Sequence, residues 1–319
     1  MTTQPDPTWS HTRLHGRRPS LMFWLIALAL SIAVALAGMA WAAGSPHASN
    51  AAGSPHATNA TAAKPGPTAA IRWPGQGQAA LAVDGRATIG TSGDRQPVPI
   101  ASLAKMMTAY LVLRDHPRVD DGDFTLVITA DIVRDTDARR RRGESVVPVR
   151  AGEVLTEQQA LTAILLPSAN NIAVALAARD AGSVTAFVDR MNRIARRLAM
   201  TKTHYTDPSG YDPATVSTAL DQLRLTAVVM HVPAFAELVA RPTADLPVVG
   251  RVRNTNTLVG HDGFIGTKTG SDQAAGGCLA FAVQRHVGVT TVVMFGVVLG
   301  QRGGPLIPAA VAAARRLVP

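Results

Sequence analysis

The amino-acid sequence predicts an α+β fold, in which a mainly antiparallel sheet is built from both ends of the globular part and is flanked by helices. Segments with β-strand character come early and return late: 78–83, 86–90, 124–129, 145–149, 246–253, 278–284 and 288–298. Apolar residues at helical spacing predict helices between them and after them: 157–166, 185–200, 218–231 and 308–317. Strands on both sides of a helical block are typical of an α+β domain with a helical insertion.

Two of these helices carry start signals. Thr156 is followed by Gln159 at the spacing of a capping box, in which each side chain hydrogen-bonds the other residue's backbone N–H. Ser183 stands before an amphipathic segment, and serine is a preferred residue at a helix N-cap. Both signals predict where the helices begin.

The N-terminal part predicts a membrane segment. Residues 21–43 are apolar and uncharged, and about 20 such residues span a bilayer as a helix. Because Arg13, Arg17 and Arg18 precede this segment, residues 1–20 are predicted to be cytoplasmic and the rest extracytoplasmic, as in a single-pass cell-membrane protein. A signal peptide cleaved after Ala42, which would give a secreted protein, is the alternative, although the apolar run is longer than usual for one.

A linker and one large domain are predicted to follow. Two nine-residue segments, AGSPHASNA and AGSPHATNA, repeat in tandem within 43–60, and the polar, proline-containing composition continues to residue 68. Such a stretch buries no core, so 44–68 is predicted to be a linker. Residues 69–319 are long enough to bury a substantial core as one catalytic domain.

Composition excludes several classes of function. Lys and Arg outnumber Asp and Glu by 31 to 22, yet only 4% of residues are aromatic and the basic residues are scattered, so no nucleic-acid binding is predicted. The one cluster, Arg139–Arg142, is interpreted as a solvated loop. The single Cys278 excludes a disulfide framework and is predicted to be a core residue. No metal or other cofactor is predicted.

Lysine is rare, with only Lys64, Lys105, Lys202 and Lys268, and two of the four lie in motifs that indicate chemistry. The first is Ser102-Leu-Ala-Lys105, whose i, i+3 spacing puts both side chains on one helix face. A lysine whose pKa is lowered by burial can take the proton of a serine nucleophile, whereas an arginine stays protonated. The motif therefore indicates covalent catalysis by Ser102.

Two further motifs follow. Pro167-Ser168-Ala169-Asn170 stands at a break between two predicted helices, where polar side chains are exposed. The segment 266–271, GTKTGS, lies before a strong strand and combines small residues with Lys268 and a hydroxyl, a set suited to an anionic substrate group.

In this order the three motifs closely resemble those of low-molecular-weight penicillin-binding proteins of the D-alanyl-D-alanine carboxypeptidase type, serine peptidase family S11. The resemblance extends to SVVPVRAGE and YTDPSGYDP and covers most of 70–319. It implies the β-lactamase/DD-peptidase-like fold with an inserted all-helical subdomain. It also implies removal of the terminal D-alanine from peptidoglycan stem peptides that end in D-Ala-D-Ala, and acylation by β-lactam antibiotics.

The resemblance also implies a role for each motif residue. Ser102 would form the acyl-enzyme, Lys105 would be its general base, and Ser168 would relay the proton to the leaving amine. Asn170 would hydrogen-bond the substrate amide and help to hold Lys105.

The third motif would bind the substrate. Lys268 and Thr269 would hold the terminal carboxylate, and Gly270 would keep the strand edge clear. The backbone N–H groups of Ser102 and Ser271 would form the oxyanion hole.

Two alternatives remain open on sequence alone. A class A-like β-lactamase needs a glutamate between the second and third motifs to activate water, and no glutamate lies between Glu157 and Glu237, although Asp207 and Asp212 do. A non-catalytic, membrane-bound sensor of β-lactams or muropeptides fits the N-terminal segment, but residues 1–20 are too few for a folded effector domain.

Overall fold

A five-stranded antiparallel sheet organises the globular part in a computed structural model, which describes residues 71–86, 88–117 and 124–318. The strands in these ranges are Gln78–Val83 (β1), Thr88–Ser92 (β2), Val98–Pro99 (β3), Thr125–Val127 (β4), Val154–Thr156 (β5), Val216–Ser217 (β6), Thr243–Leu246 (β7), Gly250–Arg253 (β8), Phe264–Asp272 (β9), Gly276–Val287 (β10) and Thr290–Gln301 (β11). The large sheet has the order β2-β1-β11-β10-β9, while β3 pairs with β6, β4 with β5 and β7 with β8. The first strands therefore pair with the last, as the sequence predicts.

The α-helices of the described ranges are Ala104–Asp115 (α1), Ala130–Arg141 (α2), Glu157–Leu165 (α3), Asn170–Ala181 (α4), Val184–Arg197 (α5), Ala219–Met230 (α6), Pro233–Val239 (α7) and Leu306–Leu317 (α8). Helices α2 to α5 lie in sequence between β3 and β6 and form the helical insertion, which also carries the short β4–β5 pair. The predicted α+β fold with a mainly antiparallel sheet is confirmed.

Both faces of the sheet are covered, because its central strands alternate two sets of apolar side chains. On β10, Leu279 and Phe281 belong to the cluster that contains α8, whereas Ala280 and Ala282 belong to the larger cluster that contains α1 and α6. Successive strand residues point to opposite faces. The uninterrupted apolar runs of β10 and β11 therefore reflect burial on two sides.

Helix α1 lies inside the larger cluster and connects the sheet to the helical insertion. Nine of its 12 residues are buried, and it packs against α3, α4, α5, α6 and α7. A helix with apolar residues on all sides is typical of a protein core. Lys105 departs from this pattern, because it is a charged residue in the first turn of the helix and has no exposed surface.

The predicted helix starts are confirmed. Thr156 Oγ1 accepts a hydrogen bond from the Gln159 backbone N–H, and Gln159 Oε1 accepts one from the Thr156 N–H, so the capping box is complete. Ser183 Oγ accepts from the Ala186 N–H at 3.1 Å at the start of α5. These local signals were sufficient because capping depends on residues close in sequence.

Two strand predictions were wrong. Residues 145–149 form no strand, since the Asn171 side chain, and not a neighbouring strand, satisfies both backbone groups of Val147. Residues 246–253 are not one strand but the last residue of β7, the turn and the second strand (β8) of a hairpin, in which Gly250 adopts a φ of 72° at the start of β8. Only glycine takes such a conformation readily.

The predicted segments 1–20, 21–43 and 44–68 lie outside the described residues. In the ranges that the structure describes, no helix combines the length and the apolar character needed to cross a bilayer.

Gly296 on β11 provides a test of the packing on the α8 side of the sheet. A Cβ at this position would lie 2.1 Å from Cζ of Phe281, whose ring is fully buried. We expect Gly296→Ala to lower the free energy of unfolding by about 1–3 kcal/mol through overpacking, as measured by urea denaturation. The control is Gly75→Ala, since nothing lies within 4 Å of that site. Equal stability of the two variants would contradict the described packing.

Candidate active site

Ser102 occupies the 3₁₀ turn Ala101–Leu103 that precedes α1. Ala101 has a φ of 46°, a left-handed conformation that costs an alanine about 1–3 kcal/mol and is found most often at functional sites. Gly210 packs against this turn so closely that a Cβ would lie 1.8 Å from the Ala101 carbonyl oxygen. The loop that carries Gly210 therefore holds the turn in place, and Ser102 remains partly exposed.

Lys105 lies one turn beyond Ser102 and contacts three separate segments. Its Nζ lies 2.8 Å from Ser102 Oγ, and it donates to Asn170 Oδ1 at 2.6 Å and to the Ser209 carbonyl oxygen at 2.8 Å. Burial lowers the pKa of Lys105 from 10.5 to about 7, against the opposing effect of Asp207 and Glu144. A substantial fraction of Lys105 is therefore an uncharged amine at neutral pH.

The direction of proton transfer follows from these contacts. A neutral amine has two N–H donors and one lone pair, and two of the three partners of Lys105 are carbonyl oxygens, which only accept. The Ser102 hydroxyl is the one partner that carries a proton to donate. Neutral Lys105 therefore directs its lone pair at Ser102, as a general base for a serine nucleophile requires.

Ser168 and Lys268 form a second pair. Ser168 follows α3 with a φ of 67°, and its Oγ accepts a hydrogen bond from Lys268 Nζ at 3.0 Å. Lys268 has no exposed surface, and its Nζ also donates to the Thr269 carbonyl oxygen at 2.9 Å. Burial, and next the charge of Lys105, hold the pKa of Lys268 well below its usual value. An incoming anion would stabilise the charged form of Lys268.

Strand β9 passes beside the serine at Gly270. A Cβ there would lie 2.9 Å from the Ser102 backbone nitrogen and 3.0 Å from the Ile100 carbonyl oxygen, so only glycine fits without displacement. The close approach brings Ser271 to the cleft that contains Ser102. The cleft has a volume of about 580 Å³, and its lining includes Ala101, Ser102, Arg142, Glu144, Asn170, Gly210, Tyr211, Ser271 and Asp272.

The structure thus brings the eight predicted site residues to one region, from β9, from the start of α1 with the turn before it, and from the α3–α4 junction. Thr269 is held there by a contact that the sequence did not indicate, as its Oγ1 lies 2.5 Å from Thr255 Oγ1. The roles assigned to these residues remain predictions.

Sequence reasoning missed Glu144 and misplaced the arginine cluster before it. Arg139 to Arg141 end helix α2, so the predicted solvated loop is wrong. Arg139 and Arg142 both pair with Glu144, whose side chain has no exposed surface. The carboxylate also accepts from Asn170 Nδ2 at 2.9 Å. An acidic residue two positions after a basic run was the available signal.

Asp207, which the sequence analysis considered only as an alternative base, organises its loop. Its oxygens accept from the backbone N–H groups of Ser209, Gly210 and Tyr211 and from Thr215 Oγ1. These bonds orient the Ser209 carbonyl that Lys105 contacts. Both oxygens of the Asp207 carboxylate therefore accept hydrogen bonds from groups of its own loop.

Other titratable groups do not add a metal site or a second nucleophile. Among the described residues, no three His, Cys, Asp or Glu side chains are grouped as metal ligands would be. Cys278 on β10 is fully buried, as predicted, and burial raises the pKa of its thiol to about 12. A thiol in this state is a poor nucleophile.

A serine hydrogen-bonded to a buried lysine is the arrangement of serine peptidases that use a lysine base. Comparison with known families agrees: the family described as D-alanyl-D-alanine carboxypeptidase matches residues 76–297. This chain belongs to that family, peptidase family S11.

Curated relatives of this chain carry related names. It is 32% identical over 208 residues to the D-alanyl-D-alanine endopeptidase of Escherichia coli K12, a match that covers 61% of this chain and 63% of that protein. It is 33% identical over 215 residues to the D-alanyl-D-alanine carboxypeptidase DacB2 of Mycobacterium tuberculosis, covering 65% and 69%. The match to a Pseudomonas aeruginosa D-alanyl-D-alanine endopeptidase covers 58% of that protein. The chain therefore spans about three fifths of the length of two of these relatives.

Solved structures of the same fold are also similar. The Streptomyces K15 DD-transpeptidase has a TM-score of 0.67 and 26% identity, covering 77% of this chain and 97% of that one. Penicillin-binding protein D2 of Listeria monocytogenes, in an ampicillin-bound form, has a TM-score of 0.60 and covers 76% and 95%.

The lysine side chains offer a direct test of the electrostatics of the site. With lysine ¹³C-labelled at Cε, nuclear magnetic resonance should show one resonance that titrates near pH 7 and is absent in Lys105→Met. A second, absent in Lys268→Met, should titrate well below pH 10.5, because burial disfavours its charge as well. Titration of the Lys105 and Lys268 resonances above pH 10 would contradict the burial of this pair.

Proposed function

We propose that this protein is a serine-type D-Ala-D-Ala carboxypeptidase, which removes the terminal D-alanine from peptidoglycan stem peptides through an acyl-enzyme on Ser102. The observation that carries the proposal is the Lys105 environment, in which the Ser102 hydroxyl is the one partner able to donate a proton. Membership of the D-alanyl-D-alanine carboxypeptidase family supports the choice of substrate.

In the acylation step, Ser102 Oγ attacks the carbonyl carbon of the D-Ala-D-Ala bond while its proton passes to Lys105 Nζ. The backbone N–H groups of Ser102 and Ser271 stabilise the oxyanion, and the Gly270 approach brings these two residues to one cleft. The C–N bond then breaks, and the leaving amine receives the proton from Lys105 by way of Ser168. The products are the Ser102 ester and free D-alanine.

The substrate carboxylate binds at Lys268 and Thr269. Because both side chains are buried, a carboxylate there meets a cation with little competing water. Binding also favours the ammonium form of Lys268, whose charge is otherwise disfavoured by burial. Water then hydrolyses the ester, with Lys105 again as the base, and restores Ser102.

A class A-like β-lactamase is disfavoured by the state of the carboxylates near the site. Asp207 accepts hydrogen bonds from the Gly210 N–H and from Thr215 Oγ1 in its own loop. The exposed Asp212 accepts one from the Ala214 N–H at 2.9 Å. Both oxygens of Glu144 are occupied by arginine and Asn170 hydrogen bonds. Asp207 and Glu144 are therefore held by these bonds, and Asp212 does not line the cleft that contains Ser102, which disfavours all three as the base for fast hydrolysis of a β-lactam ester. A non-catalytic sensor is disfavoured because the nucleophile, base and anion site are all assembled.

Endopeptidase activity on cross-linked peptides is a second candidate, since the reaction uses the same acyl-enzyme. The cleft continues beyond Ser271 along Asp272, Gln273 and Ala274, which leaves room for a larger leaving group. The relatives from Escherichia coli and Pseudomonas aeruginosa are named endopeptidases.

Trapping with penicillin tests the acyl-enzyme. The intact mass of the wild-type protein should increase by the mass of one penicillin, and Ser102→Ala should show no adduct because the nucleophile is absent.

Peptide cleavage tests the substrate. The wild type should release D-alanine from a diacyl-Lys-D-Ala-D-Ala peptide, with a cross-linked muropeptide assayed in parallel. Rapid turnover of nitrocefin would instead support the β-lactamase alternative, and acylation without any peptide cleavage would support the sensor.

For localisation, we propose that residues 21–43 anchor the protein in the cell membrane, with the catalytic domain on the extracytoplasmic side. The proposal rests on the uncharged apolar run and on the arginines that precede it. Extraction of the full-length protein should require detergent, whereas a variant that lacks residues 1–43 should be soluble and acylated by penicillin. A native N-terminus at Ala43 would show cleavage and contradict the anchor.

A further inference from the structure

Glu144 lies behind the catalytic lysine and has no assigned role in the family chemistry described above. Its Oε2 accepts from Asn170 Nδ2 and from Arg139 Nη1, both at 2.9 Å. Its Oε1 accepts from Arg142 Nη2 at 2.6 Å and Nε at 3.0 Å. The carboxylate is fully buried, and its hydrogen bonds continue through Asn170 to Lys105 and Ser102.

The contact with Glu144 determines which way the Asn170 amide points. With Nδ2 toward the carboxylate, Oδ1 faces Lys105 Nζ at 2.6 Å and accepts a hydrogen bond. The flipped amide would place its NH₂ group against the Lys105 N–H groups and its oxygen against the Glu144 carboxylate, two repulsive contacts. A buried carboxylate at this position therefore keeps one acceptor aimed at the base.

Glu144 also belongs to the set of charges around Lys105. Asp207 on the 206–215 loop and Glu144 raise the Lys105 pKa, Arg139 at the end of α2 lowers it, and Lys268 on β9 is a second buried lysine whose pKa Lys105 lowers. Arg142 pairs with Glu144 from the side of the cleft. Burial lowers the Lys105 pKa and favours the neutral amine, and the Glu144 carboxylate opposes part of this lowering.

We propose that Glu144 is a positioning residue for acylation, which fixes the Asn170 amide and sets the charge balance at Lys105, while Arg139 and Arg142 hold Glu144 in place. The proposal rests on the proposed function, since it concerns the base of that reaction. It gives two members of the Arg139–Arg142 run, Arg139 and Arg142, a role in holding Glu144 at the site.

The test is the pH dependence of the second-order rate constant of penicillin acylation. The wild-type rate should rise with pH through about 7, because the base acts when Lys105 has lost its proton. Glu144→Gln removes a charge that raises the Lys105 pKa, so its midpoint should move to lower pH by about half a unit or more. Its plateau should fall roughly tenfold, because the Asn170 amide is no longer held in one orientation.

Two further variants separate charge from structure. Arg139→Gln removes a cation that lowers the Lys105 pKa, so its midpoint should move in the opposite direction, to higher pH. Glu144→Asp keeps the charge and shortens the side chain, so its midpoint should stay near the wild-type value while its plateau falls. A purely structural role of Glu144 would lower the plateaus and leave all midpoints unchanged, which would overturn the proposal.

The Lys105 pKa of the same variants can also be measured by nuclear magnetic resonance from the titration of the Lys105 Cε resonance, a measurement that does not depend on activity. Its titration midpoint should fall in Glu144→Gln and rise in Arg139→Gln. If these shifts occur but penicillin does not acylate the wild type, the proposed function is refuted, while the effect of Glu144 and Arg139 on the Lys105 pKa is supported. If the wild type is acylated and the midpoint in Glu144→Gln is unchanged or raised, the role of Glu144 is refuted.

Discussion

The burial of Lys105 is the constraint on which the site depends. A lysine side chain in a protein interior is costly unless its amine has hydrogen-bond partners, and Lys105 is tolerated because three oxygens surround its Nζ. The three come from the turn before α1, from the first residue of α4 and from the Ser209 backbone. Displacement of any of these segments leaves a buried donor without its partner, so the folding of the helical insertion and the chemistry of Ser102 are coupled.

Two of the four non-glycine residues with a positive φ in the described ranges lie at this site. Ala101 and Ser168, which adjoin or form the site, adopt positive φ values of 46° and 67°. Close contacts hold this part of the structure, among them Gly210 against the Ala101 carbonyl and Gly270 against the Ser102 nitrogen. Such contacts exclude larger residues, and they explain why glycine is required both at position 210 and at position 270.

Much of this arrangement was predictable from sequence, because the informative signals were local. The Ser102–Lys105 pair depends on helix geometry alone, the capping residues act over three positions, and the alternating apolar sets of β10 reflect its two buried faces. The motif order then indicated which distant segments meet.

The rest depended on contacts between distant residues that follow no periodic pattern. Glu144 meets Asn170 across 26 positions, and Thr255 meets Thr269 across 14. Helix α2 was missed because Thr136 is its single buried residue, which leaves no apolar stripe to detect. Residues 145–149 have strand-like composition, yet the Asn171 side chain takes the place of a strand partner.

The central claim is that neutral Lys105 directs its lone pair at Ser102. Neutron diffraction from crystals grown at about pH 8.5 and exchanged into D₂O tests it most directly, since Lys105 is then above its pKa of about 7. The predicted result is two deuterons on Nζ, aimed at Asn170 Oδ1 and the Ser209 carbonyl, with the Ser102 deuteron aimed at Nζ. Three deuterons on Nζ, with the Ser102 hydroxyl pointing elsewhere, would contradict the account.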